Sequence, residues 1–286
     1  MMYVKGTVGA LFCQKSTIHG FESFEDGVYM IGKETERIIT LNHIDESDEL
    51  CCKLADEVIE LAGFLEVEVP AQQAVQLVQH LLYVQQVNSY MNLTRIVNLH
   101  EALILHIVDS VALTRSLPFV PDRFLDMGTG AGFPGIPFHI LTSCNGVLLD
   151  SVGKKIKAVD AFIRELYLEG IAGVHDRLES YACSQRETFD MVCARAVGQL
   201  PTIIEYGAPF LEHDGFLMLA KAYPAHEELV AGDRTADLCG LERIGCDEFE
   251  LPEGMGHRSV LFYQKVDEPR IVLPRPVGEA KRNPLT

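Results

Sequence analysis

The chain has 286 residues, of which 48% are hydrophobic and 23% charged, so it is long enough for one large or two smaller globular domains. Its net charge of −17 should repel nucleic acid at long range. No apolar stretch is long enough to span a bilayer. No signal peptide is recognisable, which predicts a cytoplasmic protein without membrane contact. The eight cysteines lack the paired short spacing of a zinc site, so we expect no metal.

The first part of the chain predicts a helical region that follows an N-terminal extension. Residues 1–50 show no sustained periodicity, although the runs VYMIG and RIITL suit short strands. From Pro70 onward, apolar residues recur at helical spacing, and a second helical stretch spans about 99–113. We therefore expect an extension of unassigned role over 1–50 and a helical cap over 51–120.

The remainder predicts alternating strands and helices. Apolar runs of strand type are FLDM, GVLLDS, AGVH, FDMVCARAV and GFLMLAK, and KKIKAVDAFIRELYLEG has helical periodicity with Gly170 as its stop. Apolar strands separated by helices predict a mainly parallel sheet covered on both faces. The runs CDEFEL and HRSVLFYQK have no helix between them and predict an antiparallel pair. This α/β domain is expected over 121–267, followed by a basic, proline-containing tail over 268–286.

The stretch FLDMGTGAGFPGIP places three glycines after the first of these strands, at Gly128, Gly130 and Gly132. A dinucleotide fingerprint requires its third glycine where Phe133 stands, and a triphosphate-binding loop requires a lysine that is missing. The pattern D-x-G-x-G-x-G is instead familiar from methyltransferases that use S-adenosylmethionine (SAM). Its glycines let the backbone approach the methionine and ribose closely. The alternative is a glycine turn that serves packing alone.

Asp150 ends the next strand, at a position where a carboxylate can accept both ribose hydroxyls beyond the strand ends. The alternative is that Asp150 caps the helix that starts near Gly153. Taken with the strand–helix alternation, the glycines and Asp150 predict a SAM site.

Seven blocks occur in the order found in one known family. They are NSYMNLTRI, LHIVDSVAL, FLDMGTGAGFPGIP, LLDSVGKK, HDRLES, FDMVCARAV and LPRPVGEAKRNPL. Over roughly residues 75–286 the sequence therefore resembles the RsmG (GidB) small-subunit rRNA methyltransferases. The resemblance implies a doubly wound, seven-stranded methyltransferase fold. It also implies transfer of a methyl group from SAM to ring nitrogen 7 of guanine 527 in 16S rRNA, as naked RNA or in the assembled small subunit, and no DNA partner.

The resemblance further implies which residues bind the cofactor. Gly128 and Phe133 would contact SAM, Leu178 and Glu179 would border the adenine, and Arg195 would also reach SAM. The residues themselves leave alternatives open. Phe133 could be a core plug, Glu179 a solvated acid, and Arg195 one partner in a structural salt bridge.

Ring nitrogen 7 of guanine carries a lone pair and no proton, so the reaction needs alignment of the reactants and no general base. Substrate positioning is expected from Lys221, Asn92, His106, Asp109 and Ser110. Lys221 ends the run GFLMLAK near the crevice, and a surface lysine is the alternative. The other four match family motifs on the cap, where each could instead be a helix cap or a buried hydrogen-bonded group.

The sequence departs from the family in two motifs. Val87 stands where the family usually has Trp, and residues 219–221 read Leu-Ala-Lys where it has Ala-Leu-Lys. Cations nevertheless cluster locally, at Lys154, Lys155 and Lys157 and in the tail at Arg270, Arg275, Lys281 and Arg282. The tail could follow a phosphate backbone, in which case its deletion should weaken rRNA methylation more than SAM binding. A disordered, solvated end is the alternative.

Two other functions remain open from the sequence. A methyltransferase for a small molecule would agree better with the charge of −17. A non-catalytic SAM- or nucleotide-binding module could use the cap to hold a protein partner. An NAD-dependent oxidoreductase is excluded mainly by Phe133.

Overall fold

The computed structural model describes residues 39–195 and 198–285. The run VYMIG and the start of RIITL lie outside the described residues, and residues 39–41 are not in a strand. Seven strands of the described chain form one sheet in the order β3-β2-β1-β4-β5-β7-β6. They are β1 (Arg123–Met127), β2 (Asn145–Asp150), β3 (Ile171–His175), β4 (Phe189–Arg195), β5 (Leu211–Lys221), β6 (Leu241–Glu250) and β7 (His257–Lys265).

Strands β1 to β5 run parallel, and β7 lies antiparallel between β5 and β6. The antiparallel final pair and the doubly wound, seven-stranded methyltransferase fold predicted from the sequence are thus confirmed. The strand order reverses beside β1, so β1 and β4 diverge into a crevice at their carboxyl ends. Ligands bind at such a position in open α/β sheets.

The apolar strands are buried because helices cover both faces of the sheet. Phe124 belongs to the core on one face, and its neighbour Leu125 belongs to the core on the other, as strand alternation requires. The helices of the described chain are α1 (Glu49–Phe64), α2 (Ala71–Asn88), α3 (Leu99–Ala102), α4 (Asp109–Ala112), α5 (Gly135–Thr142), α6 (Gly153–Glu165), α7 (Leu178–Ala182), α8 (Leu200–Gly207), α9 (His226–Leu238) and α10 (Glu279–Arg282).

Helices α1 to α4 form the cap. A π-helical segment, Leu103–Val108, joins α3 and α4 into one continuous helix, which agrees with the helical stretch predicted there. The described end of the predicted extension also packs on the cap. The Asn42 N–H donates to Oε1 of Gln86, and Nε2 of Gln86 donates back to the Asn42 carbonyl. Ile44 is partly buried against the core of the cap. Residues 39–48 therefore continue the cap structurally.

One sequence expectation and one of the alternatives differ from the structure. Helix α6 ends at Glu165 and not at Gly170, because Tyr167 takes the left-handed conformation with φ 52°. Gly170 instead precedes β3, where a Cβ would lie 2.6 Å from the side-chain oxygen of Asn145. The tail is not a disordered end, since Leu273 and Ala280 are buried in the core on the α8 face.

Within the part of the chain that the structure describes, no helix is both long and apolar enough to cross a membrane.

A two-cavity candidate active site

Two cavities open at the carboxyl ends of the strands. The first, the glycine-loop cavity, has a volume of about 330 Å³ and is bordered by Gly128, Asp150, Leu178, Glu179 and Arg195 among others. The second, the cap cavity, has a volume of about 640 Å³ and is bordered by His106, Asp109, Arg195, Lys221, Tyr223 and Arg258 among others. Arg195, at the end of β4, borders both cavities. The two spaces are therefore adjacent at one side chain.

The three glycines of the loop have different tasks. All three adopt positive φ, at 74°, 63° and 91°, which other residues adopt only with strain. Gly128 borders the glycine-loop cavity, and its N–H donates to the Leu149 carbonyl at 2.8 Å. Gly132 serves packing, since a Cβ there would lie 2.6 Å from Cδ1 of Ile136. The packing alternative thus describes Gly132, whereas Gly128 stands at the cavity.

Asp150 ties the end of β2 to the glycine loop. Its Oδ2 accepts hydrogen bonds from the Gly130 N–H at 3.1 Å and from Nζ of Lys155 at 3.3 Å. Its Oδ1 accepts from the Val152 N–H at 2.9 Å, which closes the turn before α6. The predicted alternative, a helix cap, is not observed, because α6 begins without a side-chain cap.

Asp126 fixes the start of α5 from inside the sheet. Its side chain is fully buried, and Oδ2 accepts a hydrogen bond from the Gly135 N–H at 2.9 Å. A Cβ on Gly135 would lie 2.7 Å from that oxygen, so the position admits only glycine without rearrangement. Burial raises the pKa of Asp126 to about 6. The carboxyl therefore orients the loop and does not face either cavity.

Arg195 is held by the cap helix that lies across the strand ends. Its Nη1 donates to the Leu105 carbonyl at 2.8 Å and to Oδ2 of Asp109 at 3.0 Å. Arg258, on β7, donates from Nε to Oδ1 of Asp109 at 2.8 Å and from Nη2 to Oδ2 at 3.2 Å. The buried carboxylate of Asp109 thus lies between two guanidinium groups, and this triad joins the cap to β4 and β7.

His106 is neutral in the folded protein. Burial, with a contribution from the Arg195 charge, lowers its pKa to about 3. Nη2 of Arg195 lies 3.3 Å from Nδ1, so Nδ1 accepts and Nε2 carries the proton toward Oγ1 of Thr94 at 2.9 Å. Both ring nitrogens are thereby engaged by protein groups.

Phe133 lies between two histidine rings of the cap. Its ring stacks on His106 with centroids 4.7 Å apart and planes 8° apart, and it lies 4.5 Å from the ring of His80. The side chain is 5% exposed and is not among the residues that border either cavity. The structure thus places Phe133 as a core plug that joins the glycine loop to the cap.

Comparison with known proteins assigns the chain to a family. The family model described as rRNA small subunit methyltransferase G, or GidB, matches residues 72–253. A relative with that name from Desulfitobacterium hafniense (strain Y51) is 36% identical over 69% of this chain and 83% of the relative. Another, from Clostridium botulinum (strain ATCC 19397), is 33% identical over 73% of this chain and 90% of the relative. The chain belongs to the GidB family. It is a methyltransferase, and its cofactor is SAM.

Membership in the GidB family favours a catalytic methyltransferase over the two other functions left open by the sequence. Among solved structures, the M. jannaschii TYW2 protein in complex with AdoMet is similar with a TM-score of 0.42 and 14% identity, over 51% of this chain and 68% of that one.

The structure brings together three of the five residues expected to position the substrate, since His106, Asp109 and Lys221 all border the cap cavity. Arg195, expected as a SAM-binding residue, borders the same cavity. Lys221 is not a surface lysine. Its side chain is 17% exposed, and Nζ donates to the Gly198 carbonyl and to Oε1 of Glu228, both at 2.7 Å.

Two other residues expected at the site lie away from it. Ser110 is fully buried, and its hydroxyl donates to the His106 carbonyl of its own helix at 2.6 Å. Asn92 is exposed in the segment between α2 and α3 and does not border the cap cavity. For Ser110, the alternative of a buried hydrogen-bonded group therefore describes the structure.

On the other side of Arg195, Leu178 and Glu179 both border the glycine-loop cavity, as the GidB resemblance implies. Glu179 is not a solvated acid, because its Oε1 accepts a hydrogen bond from the Gly278 N–H of the tail at 2.7 Å. The wall expected beside the adenine is thus partly built by the C-terminal segment.

Arg258, Tyr223 and Asp176 also border the cavities and were missed by sequence reasoning. Arg258 had a usable signal, because it is a cation at the start of a strand whose next five residues, Ser259 to Tyr263, are all buried. A charge in such a strand is paired or functional. Tyr223 had no comparable signal, since it follows β5 in a loop and stacks on His257 of β7, with ring centroids 4.2 Å apart.

Proposed function

We propose that this GidB-family protein transfers the methyl group of SAM to ring nitrogen 7 of guanine 527 in the 16S rRNA of the small subunit. The observation that carries the proposal is the shared wall at Arg195. A cofactor in one cavity and a base in the other would meet at this residue. Direct methyl transfer requires that kind of adjacency, since nucleophile, methyl group and sulfur must align.

The glycine-loop cavity suits SAM. Gly128 leaves the backbone open to close approach, and the Asp150 carboxylate at the end of β2 can accept ribose hydroxyls. Leu178 and Glu179 would border the adenine, and the Arg195 guanidinium can pair with the methionine carboxylate. Phe133 would hold the loop in position. When bound, SAM supplies an electrophilic methyl group on a sulfonium sulfur.

The cap cavity suits a purine that is recognised by its major-groove edge. Guanine presents a carbonyl oxygen beside ring nitrogen 7, and both are hydrogen-bond acceptors. Lys221, Arg195 and Arg258 supply donors at the border of this cavity. We infer that they bind the carbonyl oxygen and orient the base.

No residue needs to remove a proton from the base. Ring nitrogen 7 attacks with its lone pair, and both nitrogens of His106 are already engaged by Thr94 and Arg195. His106 and Asp109 would therefore act by holding Arg195 in place.

The local charge also supports an RNA substrate in an acidic chain. The cap cavity is bordered by three cations, Lys221, Arg195 and Arg258, and by two carboxylates, Asp109 and Glu228. The border therefore carries a net charge of one positive unit. His106 adds no charge at neutral pH, because its pKa is lowered to about 3. The base would thus enter a positively charged recess even though the chain carries −17 overall.

Nucleoside analysis tests the proposal. The purified protein is incubated with methyl-labelled SAM and small subunits that lack the modification, and the RNA is digested to nucleosides. We expect the label in 7-methylguanosine. Label in another nucleoside, or in a metabolite fraction with none in RNA, would contradict the proposal.

A further inference from the structure

The C-terminal segment, residues 273–285, returns to the glycine-loop cavity, and we name it the C-terminal clamp. Gly278 and Lys281 of the clamp border that cavity together with Asp150, Asp176 and Glu179. The sequence left open an RNA-binding tail here, but the fold places the segment beside the glycine-loop cavity.

The clamp is anchored on both sides of these two residues. Before them, Nε of Arg275 donates to Oε1 of the buried Glu205 at 2.7 Å, and Arg275 also bonds the second carboxylate oxygen. After them, the Thr235 hydroxyl donates to the Leu285 carbonyl at 2.7 Å. Ala280 is buried against the same core. These contacts hold residues 278–281 at the cavity without help from a ligand.

The clamp also builds the wall that the family resemblance assigns to the adenine. The Gly278 N–H donates to Oε1 of Glu179 at 2.7 Å, and Gly278 has φ 78°, a conformation that glycine adopts without strain. Movement of the clamp would release Glu179. Glu179 and the clamp therefore act as one structural unit at this end of the cavity.

Most cations of the tail are already paired inside the chain. Arg270 pairs with Asp237 at 2.7 Å, Arg275 pairs with Glu205, and Arg282 pairs with Glu279 at 3.0 Å. Lys281 differs from them because it stands at the cavity. A phosphate backbone would have to break these internal pairs to engage the arginines.

From this arrangement we propose that the C-terminal clamp is part of the SAM site, with Gly278 closing the adenine side through Glu179 and Lys281 donating hydrogen bonds to the bound cofactor. The proposal rests on the assignment of the glycine-loop cavity to SAM, and it does not depend on which base is methylated. Lys281 is thus a cofactor-binding residue and not an RNA anchor.

Calorimetric titration with S-adenosylhomocysteine, the non-reactive product, tests the clamp directly. Lys281→Gln in the full chain should raise the Kd about five- to tenfold, the effect expected when one hydrogen bond from an exposed side chain is lost. The matched control is Arg270→Gln, which removes an exposed cation of the tail outside the clamp and should change Kd by less than about twofold. The KM for small subunits should be unchanged in both variants.

Hydrogen exchange separates a cofactor-binding lysine from a structural one, because a structural lysine would not change the protection that the ligand gives to the clamp. If the clamp stabilises the bound ligand, the ligand must stabilise the clamp by the same free energy. The ligand should therefore slow exchange of the backbone amides of residues 278–285 in the wild-type chain, and slow it less in Lys281→Gln. Truncation after residue 272 should weaken ligand binding further. If the truncated chain does not fold, the ligand Kd of full-length Lys281→Gln tests the proposal on its own.

Two results would overturn the proposal. One is an equal Kd for the ligand in Lys281→Gln, Arg270→Gln and wild type. The other is a raised KM for small subunits with unchanged ligand binding, which would make the segment an RNA contact. Both are distinct from failure of the proposed function, because a different methylated base would leave the ligand titrations as predicted.

Discussion

At the residue scale, the site depends on one carboxylate that serves two guanidinium groups. Asp109 is buried at the border of the cap cavity, and it accepts hydrogen bonds from Arg195 and, with both oxygens, from Arg258. Removal of the Asp109 carboxylate would leave two partly buried guanidinium groups side by side without a counter-charge, which is costly. The two arginines nevertheless differ in position, because Arg195 borders both cavities and Arg258 borders only the cap cavity.

This difference predicts separable effects of Arg→Lys substitutions, since lysine cannot reproduce the two-pronged contact. Arg258→Lys should lower the methylation rate about 10- to 100-fold and leave SAM affinity unchanged. Arg195→Lys should lower the rate and weaken SAM binding together. Single-turnover methylation and calorimetric titration measure the two quantities.

Arg164→Lys on the exposed surface of α6 is the matched control and should change neither quantity. If Arg258→Lys weakened SAM binding as strongly as Arg195→Lys does, the separation of the two cavities would be refuted.

At the element scale, a stack of three rings docks the cap on the glycine loop. Phe133 lies between His106, on the π-helical segment, and His80, on α2. His80 is fully buried, and the Nε2 proton is directed at the Ala131 carbonyl, 2.9 Å away in the loop itself. The conformation of the glycine loop is therefore coupled to the position of the cap.

The stack also predicts acid sensitivity. Burial lowers the pKa of His80, like that of His106, to about 3 from an ordinary value of 6.5. Below pH 6.5 the unfolded chain binds protons that the folded chain excludes, so each histidine lowers the free energy of unfolding by about 1.4 kcal/mol per pH unit down to about pH 3. Asp126 acts in the opposite direction, because its raised pKa of about 6 relieves a buried charge as the pH falls.

The substitution His80→Gln isolates the contribution of this histidine to the pH dependence of unfolding. It should lower stability at pH 7.5 by about 1 kcal/mol through the lost ring contacts, and its stability should then fall less steeply than that of wild type between pH 6.5 and 5. Urea unfolding followed by circular dichroism at several pH values gives both slopes. Parallel slopes for the two proteins would show that His80 does not titrate as described.

The strands and the cofactor loop were predictable because their signals are local. Apolar runs identify β1, β2 and β4, and the glycine spacing and Asp150 lie within one stretch of about 25 residues. The position of Phe133 was not predictable in this way, since its neighbours His80 and His106 come from helices distant in sequence. The same holds for the clamp, where Gly278 meets Glu179 across 99 residues of chain.

At the scale of the whole molecule, an acidic chain must bind an acidic polymer. The paired arginines of the tail remove one source of attraction, and the cap cavity retains a small local excess of positive charge. Recognition on this account depends on the shape and donors of the recess more than on long-range attraction. A base that is unpaired and extruded from its stack can enter such a recess.

Guanine 527 itself provides the most direct test of this account. Small subunits are reconstituted with 7-deazaguanine at that position, where a C–H group replaces ring nitrogen 7, and incubated with the protein and methyl-labelled SAM. We predict no label above background in this substrate, and normal labelling when the same replacement is made at another guanine of the loop. Normal labelling of the subunit with 7-deazaguanine at position 527 would contradict the proposed acceptor atom.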